Sequence, residues 1–200
     1  FSQYDFQFLK KINTIIGTRI DKYSEYDLVI SPRLGIMYRP IDRWKFRMTW
    51  GKGFRAPSFM ERFIDWNHIQ YNYKVIGNPN LKPESSTGYT TGVEYYHPTT
   101  YQVSLMMYYN KIENPIVVYE SNDEENLNTY HNIENAIYKG IEIQGRWSIS
   151  NIWLSSWGLH IIDNRDNDGN LMPNTMPLSS YSRTSYKHPR NLWNVSMQIK

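Results

Sequence analysis

Apolar and polar residues alternate along this chain with a period of two, in runs longer than a globular strand needs, and that pattern restricts the fold most. In Trp44-Lys45-Phe46-Arg47-Met48-Thr49-Trp50, one side of an extended chain carries Trp44, Phe46, Met48 and Trp50, and the other carries Lys45, Arg47 and Thr49. The same division sets Thr14, Ile16, Thr18 and Ile20 against Asn13, Gly17, Arg19 and Asp21. It also sets Ile141, Ile143 and Trp147 against Gly140, Glu142, Gln144 and Arg146, and Trp193, Val195, Met197 and Ile199 against Asn194, Ser196 and Gln198. Helical periodicity hardly occurs, so the expected fold class is all-β.

Reading every such run predicts about nine strands, at 1–7, 11–22, 27–39, 43–54, 86–97, 101–119, 136–148, 152–163 and 190–200. The connectors alternate in length. Leu9-Lys10, Pro40-Ile41-Asp42, Pro98-Thr99-Thr100 and Ser150-Asn151 are tight, whereas 55–85, 120–135 and 164–189 are long, with only 23–26 short on that side. Short turns at one rim and long loops at the other, joined by strands of bilayer-crossing length, describe an antiparallel meander forming part of a transmembrane β-barrel. Complete bacterial barrels have an even strand number, so a count of nine predicts a partial barrel. A start in mid-pattern at Phe1-Ser2-Gln3-Tyr4, without Met, predicts the same.

The alternative class is a soluble one-sided sheet acting as a binding module, which also alternates. Arg19, Arg33, Lys45, Arg47, Glu94, Glu142 and Arg146 all fall on the polar face, opposite Ile16, Leu34, Phe46, Trp50, Val93, Ile143 and Val195. Such charges are costly in a dry core and natural in a wet or plugged barrel interior. The barrel also expects Trp44, Trp50, Trp147, Trp153 and Trp193 to form interfacial girdles; a binding module would gather them into one cleft.

Composition agrees. Tyr and Trp together number 24 against 7 Phe, favouring rings with a polar handle, as an interface between water and hydrocarbon does. The formal net charge of +3 gives no case for nucleic acid. The absence of cysteine excludes disulfides, Cys-ligated metals and thiol catalysis.

Two local motifs mislead. Gly51-Lys52-Gly53-Phe54-Arg55-Ala56 loosely fits a dinucleotide fingerprint, yet the strand before it alternates instead of being apolar on both faces. Asn164-Arg165-Asp166-Asn167-Asp168-Gly169 copies the front half of a calcium loop, but Thr175 stands where a bidentate Glu is needed, so a polar loop is expected. The run Asp123-Glu124-Glu125 is read as a solvated loop. No nucleophile elbow or zinc-protease helix occurs, and no enzymatic activity is expected.

The segment 31–94 resembles the TonB-dependent outer-membrane receptors, transporters with a 22-stranded barrel and an N-terminal plug. Ser31-Pro32-Arg33-Leu34-Gly35-Ile36-Met37-Tyr38-Arg39-Pro40 is similar to a descending strand and its inner turn, and Trp50 to Ser58 to the next ascending strand with its Phe54-Arg55-Ala56-Pro57 box. Gly77-Asn78-Pro79-Asn80-Leu81-Lys82-Pro83-Glu84 is similar to the box returning the chain from the outer loop, and Asn135 with Tyr138-Lys139-Gly140-Ile141-Glu142 to a later strand. The resemblance implies residence in the outer membrane of a Gram-negative bacterium, in contact with its lipid, and nutrient uptake with a plug domain and the TonB complex as partners. Residues 1–200 are expected to be barrel only, without the plug and unable to couple to TonB alone.

Heme receptors of this family carry a His between the two boxes, and His68 lies between Phe54-Arg55-Ala56-Pro57 and Asn78-Pro79-Asn80-Leu81. The resemblance therefore implies heme as transported ligand, with the His68 imidazole on its iron, Tyr71, Tyr73 and Trp66 stacking beside it, and His131 as a further contact. No intrinsic cofactor is expected. A ferric siderophore or cobalamin stays open as the cargo, because both boxes occur in those receptors too. His97, His160 and His188 are read as structural.

Overall fold

The computed structural model describes residues 2–8, 11–23, 26–68, 70, 73–120, 126–190 and 194–199. Ten strands form one open antiparallel sheet: β1 (Ser2–Phe8), β2 (Ile12–Asp21), β3 (Val29–Tyr38), β4 (Trp44–Arg55), β7 (Glu84–Tyr96), β8 (Tyr101–Glu113), β11 (Asn135–Ser148), β12 (Trp153–Asp166), β13 (Leu178–Lys187) and β14 (Asn194–Ile199). They lie side by side in chain order, and β1 does not pair with β14. A second sheet of four short strands, ordered β5-β6-β10-β9, is built from the long connections: β5 (Asp65–His68), β6 (Tyr73–Ile76), β9 (Ile116–Glu120) and β10 (Leu127–Asn132), preceded by helix α1 (Phe59–Phe63).

The main sheet has one strand more than the sequence reading counts. That strand, β13, lies inside 164–189, which reads as loop. Its two faces, Leu178, Ser180, Ser182, Thr184 and Tyr186 against Ser179, Tyr181, Arg183, Ser185 and Lys187, are both rich in hydroxyls, so the alternation that marks the other strands is faint. The run 101–119 is also two strands instead of one. Asn114 takes φ 53° and Pro115 lacks an N–H, which together end β8 and send β9 into the second sheet.

Register fixes the two faces, because residues directly opposite across a ladder share a side. Gly17, Arg33, Gly51, Gly88, Asn110, Tyr138 and Asn164 form one continuous row, and every charged residue assigned to the polar face falls an even number of residues from it. On that face Glu94 accepts from Lys45 at 2.8 Å and pairs with Arg47 at 2.6 Å. The opposite face runs Ile16, Leu34, Trp50, Tyr89 and Tyr109 in one row and Ile36, Met48, Thr91, Met107, Ile141 and Ile161 in the next.

Among the described residues, none packs over this second face. Met48 is 64% exposed and Ile16 49%, and the buried apolar side chains of the described residues are Val75, Leu81, Ala136 and Met172, all toward the long-loop rim. An apolar surface of that extent is stable only against an apolar medium. Rings crowd its short-turn edge: Trp44 meets Tyr95 at 4.9 Å, Tyr95 stacks on Tyr101 at 5.5 Å, and Trp153 meets Tyr186 at 4.9 Å. Trp147 joins this edge opposite Tyr101, and Trp50 lies toward the other edge beside Tyr89; Trp193 is outside the described residues.

Candidate functional site

The long connections at one rim fold into a platform whose anchor is Arg55, the last residue of β4. Its guanidinium donates through Nε and one terminal nitrogen to both oxygens of Glu84, at 2.7 and 2.6 Å, and through the other to both oxygens of Glu61, at 2.9 and 3.0 Å. Glu61 is the third residue of α1 and closes a capping box: its backbone N–H donates to Ser58 Oγ at 3.2 Å, and the Ser58 N–H donates to its carboxylate at 2.7 Å. Burial opposes ionisation of Glu61, but the hydrogen bonds from Ser58 and Arg55 outweigh it and hold the carboxyl below the usual glutamate range. Glu84 also accepts from the Ile116 N–H at 2.7 Å, which ties β9 to the same point.

The second box works through amide groups. The Asn78 Oδ1 accepts from the Asn80 N–H at 3.0 Å, and its Nδ2 donates to the Tyr130 carbonyl at 2.9 Å, fastening the turn to β10. Asn132 accepts from the Lys82 N–H at 2.8 Å and donates to the Lys82 and Asn114 carbonyls at 3.0 and 2.7 Å. Leu81 is 5% exposed and gives the platform its apolar seat. Gly77 is required by close approach, since a Cβ there would stand 2.5 Å from the Arg62 carbonyl carbon. Phe54 packs against Tyr23 at 5.3 Å, and the Pro79 carbonyl accepts from Arg62 at 3.4 Å. Ala56 and Pro57 carry the chain from β4 to the cap at Ser58. The two boxes are thus the two halves of one clasp. Ser58 and Glu61 escaped the sequence reading, although Ser-x-x-Glu at 58–61 is a capping-box signature.

On this platform Trp66, His68 and Tyr73 share one side of the second sheet. His68 stands opposite Tyr73 in register, Trp66 meets His68 edge-on at 5.4 Å, and Trp66 meets Tyr73 at 6.1 Å. Trp66 and Tyr73 are 48% and 40% exposed, and His68 is half-buried. Tyr71 lies outside the described residues. His131 is not part of this group. The pairings Trp66↔Val75, Val75↔Asn128 and Asn128↔Glu120 put Tyr130 with His68, and His131 on the reverse side with Tyr119, whose ring is 5.0 Å away. The buried His131 Nδ1 has no hydrogen-bond partner.

The remaining expected sites resolve as follows. Gly51 and Gly53 lie within β4 and open no helix, so the dinucleotide pattern has no structural counterpart. In the calcium-like stretch, one Asp166 oxygen accepts from the N–H groups of Asp168 and Asn170 at 2.9 and 2.8 Å, and the other accepts from the Asn170 side chain at 3.2 Å, as in a self-satisfied polar turn. Asp123, Glu124 and Glu125 are outside the described residues. His97 stacks on Tyr101 at 5.5 Å, the His160 Nε2 lies 3.2 Å from the Tyr108 hydroxyl, and His188 caps a turn by accepting from the Arg190 N–H at 3.3 Å.

Residues 1–198 match the family described as TonB dependent receptor-like, beta-barrel. The chain belongs to the TonB-dependent receptor family. Among curated TonB-dependent relatives, it is 33% identical over 111 residues to the vitamin B12 transporter BtuB of Vibrio vulnificus (strain YJ016), covering 56% of this chain and 16% of that protein. It is 26% identical over 140 residues to the hemoglobin and hemoglobin-haptoglobin-binding protein B of Haemophilus influenzae, covering 66% of this chain and 13% of that protein. The fold is similar to that of the siderophore receptor PirA from Pseudomonas aeruginosa, with a TM-score of 0.72 at 19% identity over 91% of this chain and 32% of that one. This TonB-dependent receptor chain therefore spans a small part of the length of the proteins it matches.

Proposed function

We propose that these residues form part of the barrel wall of an outer-membrane receptor for active nutrient uptake, and that its cargo is heme, captured at Trp66, His68 and Tyr73. The observation that carries the cargo is the presentation of an imidazole on the same side as two exposed rings, Trp66 and Tyr73, on a platform clasped at the long-loop rim. A neutral imidazole nitrogen is a natural ligand for heme iron, and flat aromatic rings suit the faces and edges of a porphyrin. The exposed apolar face supports residence in the outer membrane of a Gram-negative bacterium, with lipid against that face. The polar face would surround a plug domain, and energy would come from the TonB complex acting on that plug. The barrel wall itself would have no catalytic role.

Cobalamin is the second reading, favoured by the likeness to the vitamin B12 transporter BtuB. Heme-dependent growth and heme binding by the full-length receptor separate the two. His68→Ala is expected to lower both, while His160→Ala, on the polar face beside Tyr108, leaves them unchanged. Undiminished heme uptake in the His68→Ala receptor would remove His68 as the capture residue, whereas a wild-type receptor that takes up cobalamin and no heme would replace the heme reading by the second one.

A further inference from the structure

The polar face of the main sheet has a neutralised part and an unneutralised one. Within β2, β3 and β4 its cations have partners. Arg19 pairs with Asp21 at 2.6 Å, Lys45 and Arg47 with Glu94 at 2.8 and 2.6 Å, and Arg55 with Glu84 at 2.6 Å, while Arg33 donates to the Gln3 side chain. Arg146 on β11 and Arg183 and Lys187 on β13 lie on the same face, and among the described residues no carboxylate pairs with any of them. On this face β12, β13 and β14 carry no Asp or Glu short of Asp166, at the long-loop end. The nearest carboxylates are Glu142, four residues along β11 from Arg146 and so roughly 13 Å away, and Glu94, already held by two cations.

The register gathers the three cations at the short-turn rim. Arg146, Ser156 and Arg183 stand side by side in one row, so the two arginines are two strands, about 10 Å, apart. Arg183 donates to Ser196 Oγ at 3.4 Å, and Lys187, the last residue of β13, stands four residues nearer the rim. Between them the wall is recessed. A concavity of about 480 Å³, lined also by Ser148, Ser185 and Ser196, has no Asp or Glu among its lining residues. That volume falls within the roughly 300 to 1,000 Å³ of small-molecule sites. Guanidinium, ammonium and hydroxyl groups all donate here with no acid competing, and the acceptor they share is an oxyanion. Three like charges without counterions also concentrate anions beside them.

We propose that Arg146, Arg183 and Lys187 form an exit site on the inner wall of the barrel, at its periplasmic rim, which takes the carboxylate groups of the cargo after it leaves the outer platform. The inference rests on the uptake reading above, and on short turns facing the periplasm. Arg146 lies 11 residues along β11 from Asn135, at the long-loop end. At 3.3 Å per residue and a tilt of about 40°, that is roughly 25 to 30 Å along the barrel axis, so the site is separate from Trp66, His68 and Tyr73. Heme carries two carboxylates on one edge, and two forked donors with a serine between them suit such a pair. An acidic face of the plug would meet the same cations, but it would have no use for the serine-lined recess between them.

The test uses the full-length receptor in detergent, where both rims are open to solution. The probe is protoporphyrin IX, which has both carboxylates and no iron for His68 to ligate, compared with its dimethyl ester. Binding is read by fluorescence anisotropy, and heat-shifted electrophoretic mobility checks that the barrel is folded. Wild type is expected to bind the free acid more tightly than the ester by on the order of tenfold or more, R146Q/R183Q/K187Q to lose that preference, and R146K/R183K to keep part of it. Equal binding of acid and ester by the wild type, or a preference that survives the triple change, would overturn the proposal. Binding of neither probe would overturn it too, because the cations would then be covered by the plug. A wild-type receptor that shows the acid preference, loses it in the triple variant and yet takes up no heme in cells would refute the heme reading and support the site as one for another carboxylate cargo.

Discussion

Arg55 and Glu84, the last residue of β4 and the first of β7, stand opposite each other in the ladder and close a two-pronged contact at 2.7 and 2.6 Å. Because 28 residues separate them in sequence, this contact shuts the loop that carries α1, β5 and β6, and the bond from Glu84 to the Ile116 N–H brings the next loop to the same point. A fork facing a carboxylate is the strongest geometry available to such a pair.

Arg55→Ala is expected to loosen the platform without opening the main sheet. Hydrogen exchange in the full-length receptor would rise across 65–76 and 116–132, by about 1–2 kcal/mol in local opening free energy, and stay unchanged in β8 and β11. Arg55→Lys, which keeps the charge and loses the fork, would fall in between.

The depressed Glu61 carboxyl gives the clasp a pH dependence of known sign. A group whose folded pKa lies below its unfolded value stabilises above the unfolded value, near 4.3 for glutamate, and that contribution is lost as pH falls through the folded value. Protection of α1 is therefore expected to hold from neutral pH to about 5 and to fall below about 4. Glu61→Gln would be less protected at neutral pH and flatter between 5 and 3, as measured by exchange at Arg62 and Ile64, whose N–H groups bond Ser58 and Met60.

Gly77→Ala tests the close approach of β6 to α1. The new methyl group would meet the Arg62 carbonyl carbon at 2.5 Å, so backbone must move, at a cost of about 1–3 kcal/mol. Hydrogen exchange across β6 should rise in this variant, and Gly169→Ala, where open space surrounds the glycine but φ is 83°, should leave β6 unchanged.

The apolar and polar faces predict opposite responses to charge. Met48→Lys, at mid-band on the apolar face, should destabilise the receptor in vesicles by about 2–4 kcal/mol, whereas Ser104→Lys on the polar face should cost less than 1 kcal/mol. Urea unfolding monitored by tryptophan fluorescence reads both.

Strands such as β4 were legible because their two faces differ sharply, Trp44, Phe46 and Met48 against Lys45, Arg47 and Thr49. Strand β13 was not, because serine and threonine occupy both sides and its pairing is decided by the neighbour β12. Local sequence could place His68 and His131 in outer loops but not on opposite sides of one sheet, since that depends on the parallel pairing of β6 with β10, some fifty residues apart. The motif boxes were visible, but their role was not. Arg55, Glu61 and Glu84 meet only once the ladder is drawn, and nothing in the residue types tells a clasp from a ligand contact.

The central claim, that this sheet is a bilayer-spanning wall with fixed faces, is tested most directly by spin labels placed singly at residues 102 to 107 of β8 in the full-length receptor in vesicles. Labels at 103, 105 and 107, replacing Val103, Leu105 and Met107, are expected to relax with oxygen as lipid-exposed sites. Labels at 102, 104 and 106, replacing Gln102, Ser104 and Met106, should relax far less with oxygen. Alternation with the opposite phase, or equal access to a water-soluble relaxation agent at all six positions, would contradict it.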